Sequence, residues 1–114
     1  MFTTEPINPC SLNEVSYNSH CYYLDGIGGQ CPVGYTLGSE ADLSVISNLF
    51  IGLNYKTTVS DSCCVTTSDT YSNYGMSVQC NAQGPFRGGP SLYGANCRLY
   101  TGRSSRQLTF CVSN

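Results

Sequence analysis

The spacing of hydrophobic and polar residues changes several times along the chain, and each change marks an element. Leu12 to Tyr17 alternates loosely, which suits an edge strand or a short turn. Cys21-Tyr22-Tyr23-Leu24 is a firmer strand, dense in aromatic residues and stopped by the turn pair Asp25-Gly26. At Ser39 the period becomes helical. Leu43, Ile46 and Phe50 fall at i, i+3 and i+7, and Val45 and Leu49 widen the stripe. The Ser39 hydroxyl stands at the cap, Glu40 and Asp42 occupy the electropositive first turn, and Gly52 ends the helix.

Leu53 to Val59 reads as extended again, since threonine, tyrosine and valine suit a pleated surface. Ser60-Asp61 has the form of a helix cap, as does Ser68-Asp69. Two short helices are expected there, the first carrying Cys63-Cys64 and the second running toward Tyr74-Gly75. The run Gly84-Pro85-Phe86-Arg87-Gly88-Gly89-Pro90 breaks every period and sets a long loop between Cys80 and Cys97. Gln107 to Val112 is expected as a central strand. Together these elements predict a single α+β domain over residues 1–114. A short antiparallel sheet from 21–24, 53–59, 107–112 and at least one further strand would carry helices on both faces.

Eight cysteines in 114 residues change the picture most: Cys10, Cys21, Cys31, Cys63, Cys64, Cys80, Cys97 and Cys111. An even count at this density predicts a disulfide scaffold, hence an oxidising compartment and a secreted protein. Adjacent Cys63 and Cys64 are poorly placed to bond each other, so each is expected to reach a different distant partner. The pairing itself stays open. No Cys-x-x-Cys occurs and His20 is the single histidine, so neither a metal nor another cofactor is expected. Met1-Phe2-Thr3-Thr4 has neither the charged start nor the apolar middle of a secretory leader, so a natural leader is expected to have been removed.

The net charge is −2 with five basic residues, too few for the basic face that nucleic acid requires. No run of eighteen apolar residues is present, so membrane insertion is not expected. No Asn-x-Ser/Thr sequon occurs. Gly26-Ile27-Gly28-Gly29 lacks the Lys-Ser/Thr ending of a phosphate loop and reads as a flexible turn. Catalytic groups are sparse. Of the candidate acids for glycoside hydrolysis, Asp25, Glu40, Asp42, Asp61 and Asp69, the last four are better explained as cap or first-turn acids. His20 would be the only base for a serine or cysteine nucleophile, and no Gly-x-Ser-x-Gly motif accompanies it.

Carbohydrate recognition asks for less. Only 11% of residues are charged, while nine tyrosines, with no tryptophan, offer an apolar plate and a polar tip in one side chain. Sugars stack on such rings while amides and arginines bond their hydroxyls. Suitable groups concentrate between residues 71 and 98: Tyr71, Asn73 and Tyr74 in one stretch, with Asn81, Gln83, Arg87, Tyr93, Asn96 and Arg98 in the next. These are the expected ligand-binding residues.

Two resemblances bear on this. Phe50-Ile51-Gly52-Leu53-Asn54 resembles the Trp-Ile-Gly-Leu-Asn core of C-type lectin-like domains over five residues. The calcium-binding Glu-Pro-Asn and Trp-Asn-Asp motifs of those domains are absent, and the match is accidental. Cys31-Pro32-x-Gly34-Tyr35, the run Tyr55 to Cys64 and Gln107-Leu108-Thr109-Phe110-Cys111 cover about a fifth of the chain, and here it resembles a family of small secreted cysteine-rich glycan-binding proteins from mushrooms. That resemblance implies four intramolecular disulfides, an αβα sandwich, no enzyme activity and binding of fucosylated GalNAc-GlcNAc termini on cell-surface or secreted glycoproteins. It supplies no site residues. A cytotoxic or defence lectin, compatible with a homodimer, is the expected function. A protein-binding effector and a small hydrolase are the alternatives.

Overall fold

The computed structural model describes residues 10–60, 62–69, 73–79, 81–98 and 107–114. Its centre is a curled, mixed sheet of seven strands: β1 (Val15–Tyr17), β2 (His20–Asp25), β3 (Tyr35–Leu37), β4 (Ser62–Thr66), β5 (Tyr74–Gly75), β6 (Ser91–Leu92) and β7 (Gln107–Ser113). The order is β1-β2-β7-β4-β5-β6, with β3 also on β7. β7 is the hub. One of its edges pairs antiparallel with β2, from Tyr22 opposite Val112 to Asp25 opposite Thr109. Its other edge takes β4 in parallel at Gln107–Thr109 and β3 antiparallel at Cys111–Ser113.

Both faces of this centre are buried: β2 runs apolar without a break from Cys21 to Leu24, and β7 buries polar Gln107 and Thr109 between its apolar residues. On one face Tyr22, Leu24, Leu108 and Phe110 join the core. Above them lies α1 (Glu40–Ile46), which continues as a 3-10 turn, Ser47–Phe50. Ser39 caps it as expected, its Oγ accepting the Asp42 N–H at 3.1 Å. Leu43, Ile46 and Phe50 are fully buried, and the Phe50 ring meets Phe110 edge-on at 6.2 Å. Val45 and Leu49 do not widen the stripe: they are 62% and 55% exposed, because the helix tightens after Ile46 and only one narrow face touches the sheet.

The other face, carrying Tyr23, Asp25, Thr109 and Cys111, is covered by irregular chain. Gly29 N–H donates to Thr109 Oγ1 at 2.5 Å, and the Cys31–Cys111 bridge clamps the same loop. Residues 53–60 lie against the end of β2, with Lys56 N–H donating to Leu24 O and Gly26 N–H to Thr58 O. Gly26 is needed there, since a Cβ on it would stand 2.4 Å from Ser60 N. Those two bonds are too few for a ladder, so the strand expected over 53–59 does not form.

The cysteine pair is also placed differently. Cys63 and Cys64 lie on β4 and not on a helix, because pairing with β7 and β5 recruits this segment to the sheet. The register shifts between Ser62 and Val65, so the two cysteines form a bulge. Cys64 bonds Cys97, Cys10 bonds Cys21, and Cys63 is disulfide-bonded as well; the two neighbours are not joined to each other. Gly75 lets this bridge cross close over β5, since a Cβ there would meet Cys97 Sγ at 2.5 Å. Cys80 and Asp61 lie outside the described residues.

The body of the second helix expected after Ser68, residues 70–72, lies outside the described residues. On either side of it, Asp69 turns to α1, where its Oδ1 accepts the Glu40 N–H at 3.0 Å, and Tyr74–Gly75 pairs in β5. The loop between 80 and 97 contains the strand β6 and a 3-10 turn at Gly94–Asn96. The protein is thus a mostly-β, disulfide-rich fold. The described residues hold one short α-helix, so helices on both faces of an antiparallel sheet, and with them the αβα sandwich, are replaced by one helix and a covering of loops.

Candidate functional site

The residues singled out between 71 and 98 do not all converge: Asn73, Tyr74, Tyr93 and Arg98 meet around β5 and β6, while Gln83 lines a separate cleft and Arg87 bonds Gln79. Tyr71 lies outside the described residues. Asn73 donates its amide to Glu40 Oε2 at 3.1 Å, and Tyr74 is buried in β5. Tyr93, 46% exposed and left-handed in backbone, is tied to Asn73 by an N–H···O bond of 2.7 Å, and Arg98 stacks 5.1 Å from its ring centre. Asn81 and Asn96 are simply exposed. Arg87 is held through both its backbone N–H and its Nε by Gln79 Oε1, each at 2.9 Å. Gln83 stands in a cleft.

That cleft, about 440 Å³, is walled by Asn54, Tyr55, Thr57 and Val59 on one side and Gln83, Gly84 and Pro85 on the other. Long-range bonds build it. Gly52 N–H donates to Phe86 O and Phe86 N–H to Leu53 O, each at 2.8 Å, which fixes the two chain segments side by side. Phe86 is buried and meets the Tyr55 ring edge-on at 4.7 Å, while Tyr55 OH donates to Gln79 O. The walls are therefore anchored from beneath. Among the described residues no side-chain hydrogen bond engages the amides of Asn54 and Gln83, which leaves donors and acceptors for a ligand.

A second cleft of about 390 Å³ adjoins it at Thr57, lined by Tyr23, Asp25, Ile27, Gln30, Pro32 and Lys56. Asp25 is buried and its charge is met locally, Oδ2 accepting from Thr57 Oγ1 and Oδ1 from Thr58 N–H, both at 2.6 Å. Behind it sits a polar cluster that the sequence reading missed. Glu14 pairs with Lys56 and accepts from Tyr35 OH at 2.7 Å and Ser11 N–H at 2.9 Å. The Lys56 ammonium lies 4.4 Å from the Tyr23 ring centre and 4.7 Å from that of Tyr35.

Burial alone would raise the Glu14 pKa. The hydrogen bonds from Lys56, Ser11 and Tyr35, with the charge of Lys56, outweigh it and hold the carboxyl below its usual value. Burial would likewise lower Lys56, but its bonds to Glu14 and Tyr35 hold it above the ordinary lysine range. Opposite charges flanked by Val15 and Tyr55, in a chain so poor in charge, were the available signal.

One group of three metal-ligating residue types occurs among the described residues, Cys10, Glu14 and Cys21. It does not fit a metal, because the two sulfurs are bonded to each other and Glu14 is engaged by Lys56. No helix among the described residues is long and apolar enough to cross a membrane. The bridges Cys10–Cys21, Cys31–Cys111 and Cys64–Cys97 are compatible with an extracellular protein. No family model matches the chain, and no curated protein or solved structure matches it either.

Proposed function

We propose that the protein is a secreted, non-enzymatic lectin that binds a terminal glycan on a cell-surface or secreted glycoprotein. The observation that carries this reading is the cleft between Asn54–Thr57 and Gln83–Pro85, whose walls are pinned by backbone bonds while its two amides stay unengaged. Sugars bind through oriented hydrogen bonds, and a site fixed before binding keeps the entropic cost of ordering low. The mushroom-family resemblance adds fucosylated GalNAc-GlcNAc termini as the preferred ligand class and a role in defence. The site shifts accordingly from the Tyr71–Arg98 loop as a whole to the one member of it that lines this cleft, Gln83.

A printed array of neutral glycans, probed with labelled protein in the presence of EDTA, tests the reading. Retention of a defined terminal structure is expected. Gln83→Ala should weaken that binding about tenfold, as loss of one or two hydrogen bonds would. Absence of binding to every glycan would refute it. The outer side of the helix, with Val45, Leu49 and Ile51 at least half exposed, favours a protein partner as the second reading, and a blank array would move the case there.

A further inference from the structure

We propose that the two clefts on either side of Thr57 are adjoining subsites of one groove, built for an uncharged saccharide of at least two residues. This rests on the glycan-binding reading and says what length and charge of ligand that site takes. Thr57 lines both clefts, so a single residue separates the two. The clefts are similar in size, about 440 and 390 Å³. Each also offers an unengaged amide, Gln83 on the first side and Gln30 on the second.

Their chemistry differs in a way that suits a chain of sugars. The first cleft is amide-walled, with Asn54 facing the loop that carries Gln83, and takes the terminal residue with its full set of hydroxyls. The second sets Ile27 and Pro32 beside Asp25 and Lys56, an apolar surface with a polar rim, which fits the C–H face and hydroxyl edge of the next pyranose.

The charged groups beside the second cleft are engaged within the protein. Asp25 is bonded by Thr57 and Thr58, and Lys56 is paired with Glu14, so neither residue is left seeking an opposite charge on the ligand. Neutral glycans are therefore favoured over sialylated or sulfated ones, whose anions would meet a lysine already neutralised and a nearby carboxylate.

The experiment uses the intact protein on an array printed with neutral and sialylated glycans, each with its mono-, di- and trisaccharide truncations. Wild type should gain about tenfold or more between the terminal monosaccharide and the disaccharide. Gln30→Ala should remove most of that gain while leaving monosaccharide binding intact. Gln83→Ala should weaken both. These side chains are exposed, and unchanged thermal melting of each variant would show the fold undisturbed. Equal binding of mono- and disaccharide, a disaccharide gain that survives Gln30→Ala, or preference for sialylated glycans would overturn the groove and leave the lectin reading standing. Failure to retain any glycan would overturn both.

Discussion

Replacing Lys56 by methionine isolates the cluster that holds residues 53–60 against the sheet. The substitution keeps the length and apolar stem of the side chain and removes its charge. It leaves the Glu14 side chain, 3% exposed, as a carboxylate without its cation, while Lys56 itself is 26% exposed. Breaking a buried pair in this way costs roughly 3–5 kcal/mol. The lower end applies, because water reaches the Lys56 end and Glu14 keeps its bonds from Ser11 and Tyr35. A loss of about 3 kcal/mol is expected in urea unfolding at neutral pH with disulfides intact, or a midpoint lower by roughly 1–3 M.

The pH dependence identifies the cause. Glu14 has a depressed folded pKa, so its contribution is present above the unfolded carboxyl value of about 4.3 and is lost as pH falls through the lower folded value. Lys56 has a raised pKa, so its contribution is present below the unfolded value of about 10.4 and is lost as pH rises through the folded one. The gap between wild type and variant should therefore be widest between those limits and close on both sides. A double variant with Glu14→Gln should recover much of the loss. A change under about 0.5 kcal/mol at neutral pH, or a gap independent of pH, would refute the reasoning.

Two further outcomes follow from burial and covalent connection. Tyr22, Tyr23 and Tyr55 have pKa values pushed up to about 12, chiefly by burial and, for Tyr22 and Tyr23, by neighbouring negative charge. Their neutral forms support the fold below about pH 10, and that support is lost as pH rises through 12, so phenolate absorbance should show a late fraction that appears together with unfolding. Removing the disulfides pairwise should destabilise in the order of loop length: about 4.5 kcal/mol for Cys31–Cys111, 3.7 for Cys64–Cys97 and 2.8 for Cys10–Cys21, from separations of 80, 33 and 11 residues. Chemical denaturation of the three double-alanine variants checks this, and a reversed order would show that native strain or overlapping loops outweigh chain entropy.

Local signals in the sequence carried the helix and the two central strands. Ser39 and the Leu43, Ile46, Phe50 spacing are self-contained, and the aromatic run of β2 and the apolar run of β7 need no partner to be recognised. Elements that depend on distant partners were read wrongly. Ser60-Asp61 looks like a cap until β7 draws the next residues into a parallel pair, and 53–59 looks like a strand until its bonds are traced to the end of β2. The candidate cleft depends on distant partners in the same manner. Gln83 was visible as a polar residue in a long loop, but Asn54, Thr57 and Gln30 gain their meaning only from the Gly52–Phe86 and Leu53–Phe86 bonds and from the loop clamped by Cys31–Cys111. Composition could name the chemistry without showing where chain segments meet.

The strand at the centre of the sheet follows every other strand among the described residues. During synthesis β2, β3 and β4 therefore emerge with no central neighbour, and the Cys31 thiol waits for residue 111 while Cys10 and Cys21 can close early. Oxidation has an order written into it: a local bridge first, the long one only when β7 arrives to align its sulfurs. Until β7 is made the partial sheet carries unpaired thiols, which makes thiol-disulfide exchange part of how the fold is reached.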